Sequence, residues 1–233
     1  MITKWLHVDT RVGDPWVIPI WRAINQAVEA GKAAPVGDEF RQRALHLSTR
    51  LTMLPRIFRR INQECYALYD SIATRQPHHE WTATHDGYAF PLDDELEHNL
   101  LLDIDSLLFE VNSCCELITT FFTLLHQHRG QPIPKDQVGK KIRKILLDAG
   151  QDPTWFVQLD THRNFFMHEG APYIAVDLSN DVDGQYDLLI MKENIKDFSN
   201  SDKFIRLSEL STIVSGFELS KPLIQQYLVN FFV

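Results

Sequence analysis

The chain has 233 residues, 44% of them hydrophobic and 23% charged, with a formal net charge of −8 at pH 7. It is long enough to bury a sizeable core and has the composition of an ordinary globular protein. Its acidic balance excludes a broad, sequence-independent grip on nucleic acid, so any nucleic acid must be met by a local basic patch.

The opening residues 1–10 hold too short an apolar run for a signal peptide. Residues 16–30 read as a helix stopped by Gly31, and a Gly/Pro segment follows over residues 31–37. Asp38 can cap a second helix to about residue 54, and Pro55 permits a third over residues 56–72. Residues 76–94 read as a loop that separates this N-terminal helical part from the rest.

The strongest pattern comes next. Leu100, Ile104, Leu107, Val111, Cys114, Ile118, Phe121 and Leu125 repeat at alternating spacings of four and three, a heptad seam. Leu101, Leu108, Cys115 and Phe122 add a second stripe, so a helix over residues 94–127 is expected at the centre of a bundle. Cys114 and Cys115 serve on it as small hydrophobes. With Cys65 they make an odd count and no disulfide framework, which fits a reducing cytoplasm. No stretch approaches the roughly 18 apolar residues of a membrane span, so no membrane role is expected.

Residues 135–149 form a shorter helix closed by Gly150, and Asp152-Pro153 starts another that stops at Gly170. Two strand-like runs, 173–178 and 186–191, flank an Asp183-Gly184 turn. Residues 208–232 are helical again, kinked or split at Pro222. The class is therefore mainly α, with a small β-hairpin at about 173–191.

Chemistry concentrates in Arg163-Asn164-Phe165-Phe166-Met167-His168. Arginine offers a permanently charged fork suited to phosphate, and histidine moves its proton near neutral pH. Asn164 and His168 are four apart and share a helix face. Arg163 and His168 point about 140° apart on an ideal helix. They converge only if the helix ends early, if Arg163 reaches around, or if a second subunit completes the site. A second match, Arg41-Gln42-Arg43-Ala44-Leu45-His46, lies in an early amphipathic helix.

Lys135, Lys140, Lys141, Arg143 and Lys144 form the basic cluster, on the helix before the motif, and could guide RNA. Glu110, on the long helix, is the candidate acid for orienting the motif. His78, His79 and His85 with Glu80 and Asp86 match no metal-ligand spacing and read as a polar loop. No cofactor or metal is expected, and no Walker-type loop is present.

A long helix, a turn, a shorter helix and a helix ending in Arg163-Asn164-x-x-x-His168 resembles the HEPN (higher eukaryotes and prokaryotes nucleotide-binding) family. The resemblance implies an organisation of 1–92 as an added N-terminal helical region and loop, and 93–233 as a HEPN-like helical bundle carrying the hairpin. It also implies a homodimer that brings two motifs together across a twofold axis. The activity implied is a metal-independent endoribonuclease, of toxin or defence type, with a neutralising protein partner. Arg163, Asn164 and His168 would then be catalytic, with RNA cut by attack of its own 2′-hydroxyl. A non-catalytic HEPN-like module that binds a nucleotide or a partner protein is the alternative.

Overall fold

The heptad seam of the long helix decides the architecture. In the computed structural model, which describes residues 14–74, 82–83, 88–89, 94–182, 185–194 and 198–233, that helix is α3, Asp94–His128. All eight seam residues are buried, and Leu108 and Phe122 of the second stripe are buried with them. By length and apolar content α3 is the one described helix that could cross a membrane, but its apolar stripes are spent on the core.

The helix α2, Asp38–Thr74, lies antiparallel along α3. The direction follows from two ion pairs, Arg50 with Glu110 and Arg60 with Asp103, because the numbers rise on one helix as they fall on the other. The sequence suggests two helices here, parted at Pro55. The structure has one, running through Pro55. Proline removes one backbone donor and crowds the preceding turn. Here it stands on the solvent side, while Leu51, Leu54, Ile57 and Ile61 bury on either side of it. Burial of about 1.5–3 kcal/mol per large apolar side chain outweighs the lost bond. For the same reason α6, Leu207–Asn230, is unbroken at the exposed Pro222, with Phe217, Ile224 and Leu228 buried around it.

The helix α1, Val17–Glu29, rests on α6. Trp16 donates its indole N–H to the Lys221 carbonyl at 2.7 Å, and the Gln225 amide donates to the Trp16 carbonyl at 2.6 Å. Phe40 of α2 stacks on Phe121 of α3, with ring centroids 4.5 Å apart. The buried side chains of α1 and α2 belong to the same hydrophobic cluster as those of α3 and α6. The helix α4, Lys135–Asp148, buries Val138, Ile142 and Leu146, a strict four-residue stripe. The helix α5, Trp155–His168, follows it.

Within the expected loop, Thr82–Ala83 (β1) pairs with Tyr88–Ala89 (β2), a short ladder that the composition gave no sign of. His78, His79, His85, Glu80 and Asp86 lie outside the described residues, as do residues 1–10 and the Asp183-Gly184 turn. The expected hairpin is present as β3, Ile174–Val182, and β4, Gln185–Met191, paired antiparallel with Ile174 opposite Ile190. A third strand, β5, Phe204–Arg206, completes the sheet in the order β3-β4-β5.

One ion cluster explains how β5 docks. Asp177 of β3 stands directly opposite Asp187 of β4, a like-charge pair that would destabilise the ladder by itself. The Arg206 guanidinium pairs with Asp187 and lies 4.0 Å from Asp177, so the third strand brings the neutralising charge. The result is a mainly helical protein with a small antiparallel sheet.

Candidate functional site

The helix α5 is fixed at its N-terminal end before its motif begins. The Asp152 carboxylate accepts from the backbone N–H of Thr154 at 2.9 Å and from its hydroxyl at 2.7 Å. These bonds hold the Asp152 carboxyl below the usual carboxylate range. Trp155, Leu159 and His162 then form the buried stripe. The approach to α6 is close at one glycine: a Cβ on Gly216 would lie 2.3 Å from Cδ1 of Trp155 and 2.4 Å from its Cγ. Any larger residue at 216 would push α5, and the motif with it, away from α6.

The motif occupies the last two turns of α5. Helical geometry continues through His168, and Gly170, at φ 75°, ends it in the left-handed region. The helix therefore does not stop early enough to bring Arg163 and His168 together. Arg163 is half-buried, whereas Asn164 and His168 are exposed. The Arg163 Nη1 reaches the Asn164 Oδ1 at 3.5 Å, the outer limit of a hydrogen bond, and its Nε is sealed from solvent without a partner. Arg163 thus makes only one long contact, to Asn164, and much of its donor capacity is unspent.

The outward face of α5 has a distinct character. Val157, Asp160, Thr161, Asn164, Met167 and His168 are all exposed along it. Val157 and Met167 are more than half exposed, and Asp160 is the single fixed charge among the six. Such a weakly charged, partly apolar helix face suits association.

Glu110 is engaged elsewhere. It is buried and pairs with Arg50 of α2, and its second carboxylate oxygen is sealed without a partner. No hydrogen bond or ion pair joins it to Arg163 or His168. Lys135, Lys140, Lys141, Arg143 and Lys144 are all exposed on α4. Lys144 bridges to Asp148 at 3.0 Å, and the Lys141 ammonium sits 5.7 Å from the centre of the Tyr227 ring. The remaining three carry no ion pair among the described residues. The cluster is solvated positive surface on the helix that precedes the motif helix.

The structure adds a pair that sequence spacing could not show. His162, only 5% exposed, is linked through Nε2 to Oε2 of Glu209 at 3.1 Å. The other Glu209 oxygen accepts the backbone N–H of Arg206 at 3.1 Å, so one carboxylate ties α5 to the start of α6. Burial pushes the His162 imidazole below its ordinary value; Glu209 opposes this, and Lys192 adds to it. The partners are 47 residues apart, and nothing in the local sequence of either one announces the other. Trp155 Nε1, Gln158 Oε1, His162 Nδ1 and Arg163 Nε are all buried without partners. The inner side of α5 therefore holds unspent polar capacity, each group costing about 1–3 kcal/mol.

Among the described residues, no group of three or more His, Cys, Asp or Glu is arranged as a metal-ligand set. The chain matches no protein-family model, no curated protein and no solved structure. What the site can do rests on its own chemistry. It offers a guanidinium fork with open donors, a carboxamide beside it, and a solvent-accessible imidazole one turn further on. Arg163 can hold an anionic phosphoryl group and His168 can move a proton, each from its own side of α5.

Proposed function

We propose that this chain is a HEPN-type, metal-independent endoribonuclease that acts in the cytoplasm as a homodimer, with the α5 faces of two copies meeting. The observation that carries the reading is the exposure of Asn164 and His168 beside a half-buried, under-used Arg163 on a weakly charged helix face. One copy holds its cation and imidazole on different sides of α5. A facing α5 from a second copy across a twofold axis would complete the site, with each Arg163 working beside the other's His168.

The chemistry is proton transfer with charge stabilisation. The 2′-oxygen of RNA attacks the adjacent phosphorus, and the bond to the 5′-oxygen breaks. One His168 takes the 2′-hydroxyl proton, and the protonated His168 of the second copy gives a proton to the leaving 5′-oxygen. Arg163 meets the extra negative charge on the phosphoryl oxygens in the transition state, and Asn164 holds the fork in place. The products are a 2′,3′-cyclic phosphate and a 5′-hydroxyl. The nucleophile comes from the substrate and the charge is met by Arg163, so no step calls for a metal. The exposed cations of α4 draw RNA to an otherwise acidic surface. As a toxin, an enzyme of this kind would be held in check by a neutralising protein partner in the cell that makes it.

The test is a cleavage assay on mixed RNA with EDTA present, comparing the wild type with His168→Ala. Cleavage by the first and none by the second supports the reading. A wild type that binds nucleotide at this site and cuts nothing would leave a non-catalytic binding module.

A further inference from the structure

A second polar site lies between α2 and α3, on residues that the proposed ribonuclease reaction does not use. Arg43, His46 and Arg50 follow one another at spacings of three and four along one face of α2. Ser113 and Glu116 stand opposite on α3, and the groove between the two helices measures about 520 Å³. The antiparallel pairing brings these rows together: Arg50 meets Glu110, so the residues before Arg50 meet those after Glu110.

The donors in this groove are not equally available. The Thr49 hydroxyl donates to the Leu45 carbonyl at 3.0 Å, and the Thr120 hydroxyl to the Glu116 carbonyl at 2.9 Å, so both are spent on their own helices. Arg50 is tied to Glu110, and its guanidinium lies 5.6 Å from the centre of the Phe109 ring. Arg43, His46 and Ser113 have no hydrogen bond or ion pair among the described residues. A guanidinium, an imidazole and a hydroxyl therefore open into one groove with their donors free, which is a phosphate-binding set.

Glu116 decides what accompanies the phosphate. One of its oxygens accepts from the Asn112 amide at 2.9 Å, and its second carboxylate oxygen remains to accept. A carboxylate beside an anion site repels a bare anion, but it accepts well from hydroxyl groups. The volume also exceeds what one phosphate fills and falls in the range of small-molecule sites, about 300–1,000 Å³. We propose that the α2–α3 groove binds a ribonucleotide unit, with Arg43, His46 and Ser113 on its phosphate and Glu116 on its ribose hydroxyls. The unit comes either from a free nucleotide or from an RNA strand. The site draws no residue from α5, so it stands or falls separately from the ribonuclease reading.

The test is calorimetric titration of the full chain with a 5′-ribonucleoside monophosphate, and of its His168→Ala form with a short oligoribonucleotide. Arg43→Gln and His46→Ala should each weaken whichever probe binds by roughly tenfold or more. Thermal stability should hold, since neither side chain bonds within the described chain. Arg41→Ala, on the same helix but outside the groove, should leave binding unchanged, and the 2′-deoxy form of the bound probe should bind several-fold more weakly. Binding of the monophosphate alone assigns the site to free nucleotides, and binding of the oligomer assigns it to RNA. The proposal is overturned if neither probe binds, if both groove variants bind like wild type, if only Arg163→Ala abolishes binding, or if inorganic phosphate binds as tightly as the nucleotide.

Discussion

Gly216→Ala separates two opposed effects and tests how α5 is seated. Helix propensity alone favours the change, because alanine in a helix interior is about 1 kcal/mol better than glycine. Packing opposes it. The new methyl would stand 2.3 Å, 2.4 Å and 2.9 Å from the Cδ1, Cγ and Cβ of Trp155, far inside van der Waals contact. The indole cannot yield easily: it stacks on Phe156 with centroids 3.7 Å apart and meets Phe217 edge-on at 6.1 Å. The neighbouring cavity, about 20 Å³, has room for a water but not for a displaced ring. Overpacking costs about 1–3 kcal/mol, and a contact this short belongs at the upper end. The net loss should be about 2 kcal/mol, a fall in Tm of roughly 4–8 °C for a chain of this size. Thermal unfolding followed by circular dichroism reads it directly. Gly139→Ala on α4 is the control, since a Cβ there meets nothing within 4 Å, and it should leave Tm unchanged or raise it slightly. A Gly216→Ala protein as stable as Gly139→Ala would refute the close seating of α5 on α6.

Other consequences follow from buried charge and burial. Arg50→Met should cost about 2–3 kcal/mol in denaturant unfolding, because it strands the buried Glu110, while Arg50→Met with Glu110→Leu should recover most of that; a double variant no more stable than the single one would contradict this. His126 and His162 are both held below their ordinary value of 6.5, chiefly by burial. The unfolded chain then takes up protons that the fold refuses, so stability is fully present above about pH 6.5 and declines as pH falls through that value. Denaturation midpoints at about pH 7.5 and about pH 5.5 should show the decline, and His126→Phe with His162→Gln should flatten it. Burial pushes the Cys65 and Cys114 thiols up to about 12 and Cys115 upward as well. Iodoacetamide at mildly alkaline pH should therefore label neither Cys65 nor Cys114 in the native protein and both in denaturant; rapid native labelling of either would contradict that burial.

The sequence was most readable where one element's own pattern determined its environment. The α3 seam could be read because a four-three repeat has one burial solution, and Gly150 and Gly170 marked the ends of α4 and α5 because each adopts a left-handed turn. Pro55 misled and α6 is not split at Pro222, since local cost says nothing about the apolar neighbours that outweigh it. The strand β5 gave no signal: three residues are too few for periodicity, and Arg206 belongs there because of Asp177 and Asp187 on other strands. At the candidate site, the shared exposure of Asn164 and His168 followed from spacing alone. The engagement of Glu110 by Arg50 and the link from His162 to Glu209 did not, because each joins residues distant in the chain. The groove at Arg43 and His46 needed α3 laid beside α2 before its polar row meant anything.

Arg163 and His168 are proposed to cut RNA together. The most direct measurement is the end chemistry and rate of cleavage of a defined RNA in EDTA by wild type, Arg163→Ala, Arg163→Lys and His168→Ala. The wild type should leave 2′,3′-cyclic phosphate and 5′-hydroxyl ends. Arg163→Ala should lose about a hundredfold or more, corresponding to roughly 3 kcal/mol of transition-state stabilisation. Arg163→Lys should also be poor, because the planar fork is gone, and His168→Ala should be inactive while still folded. Cleavage at wild-type rate by both alanine variants, or activity that vanishes with EDTA, would contradict it.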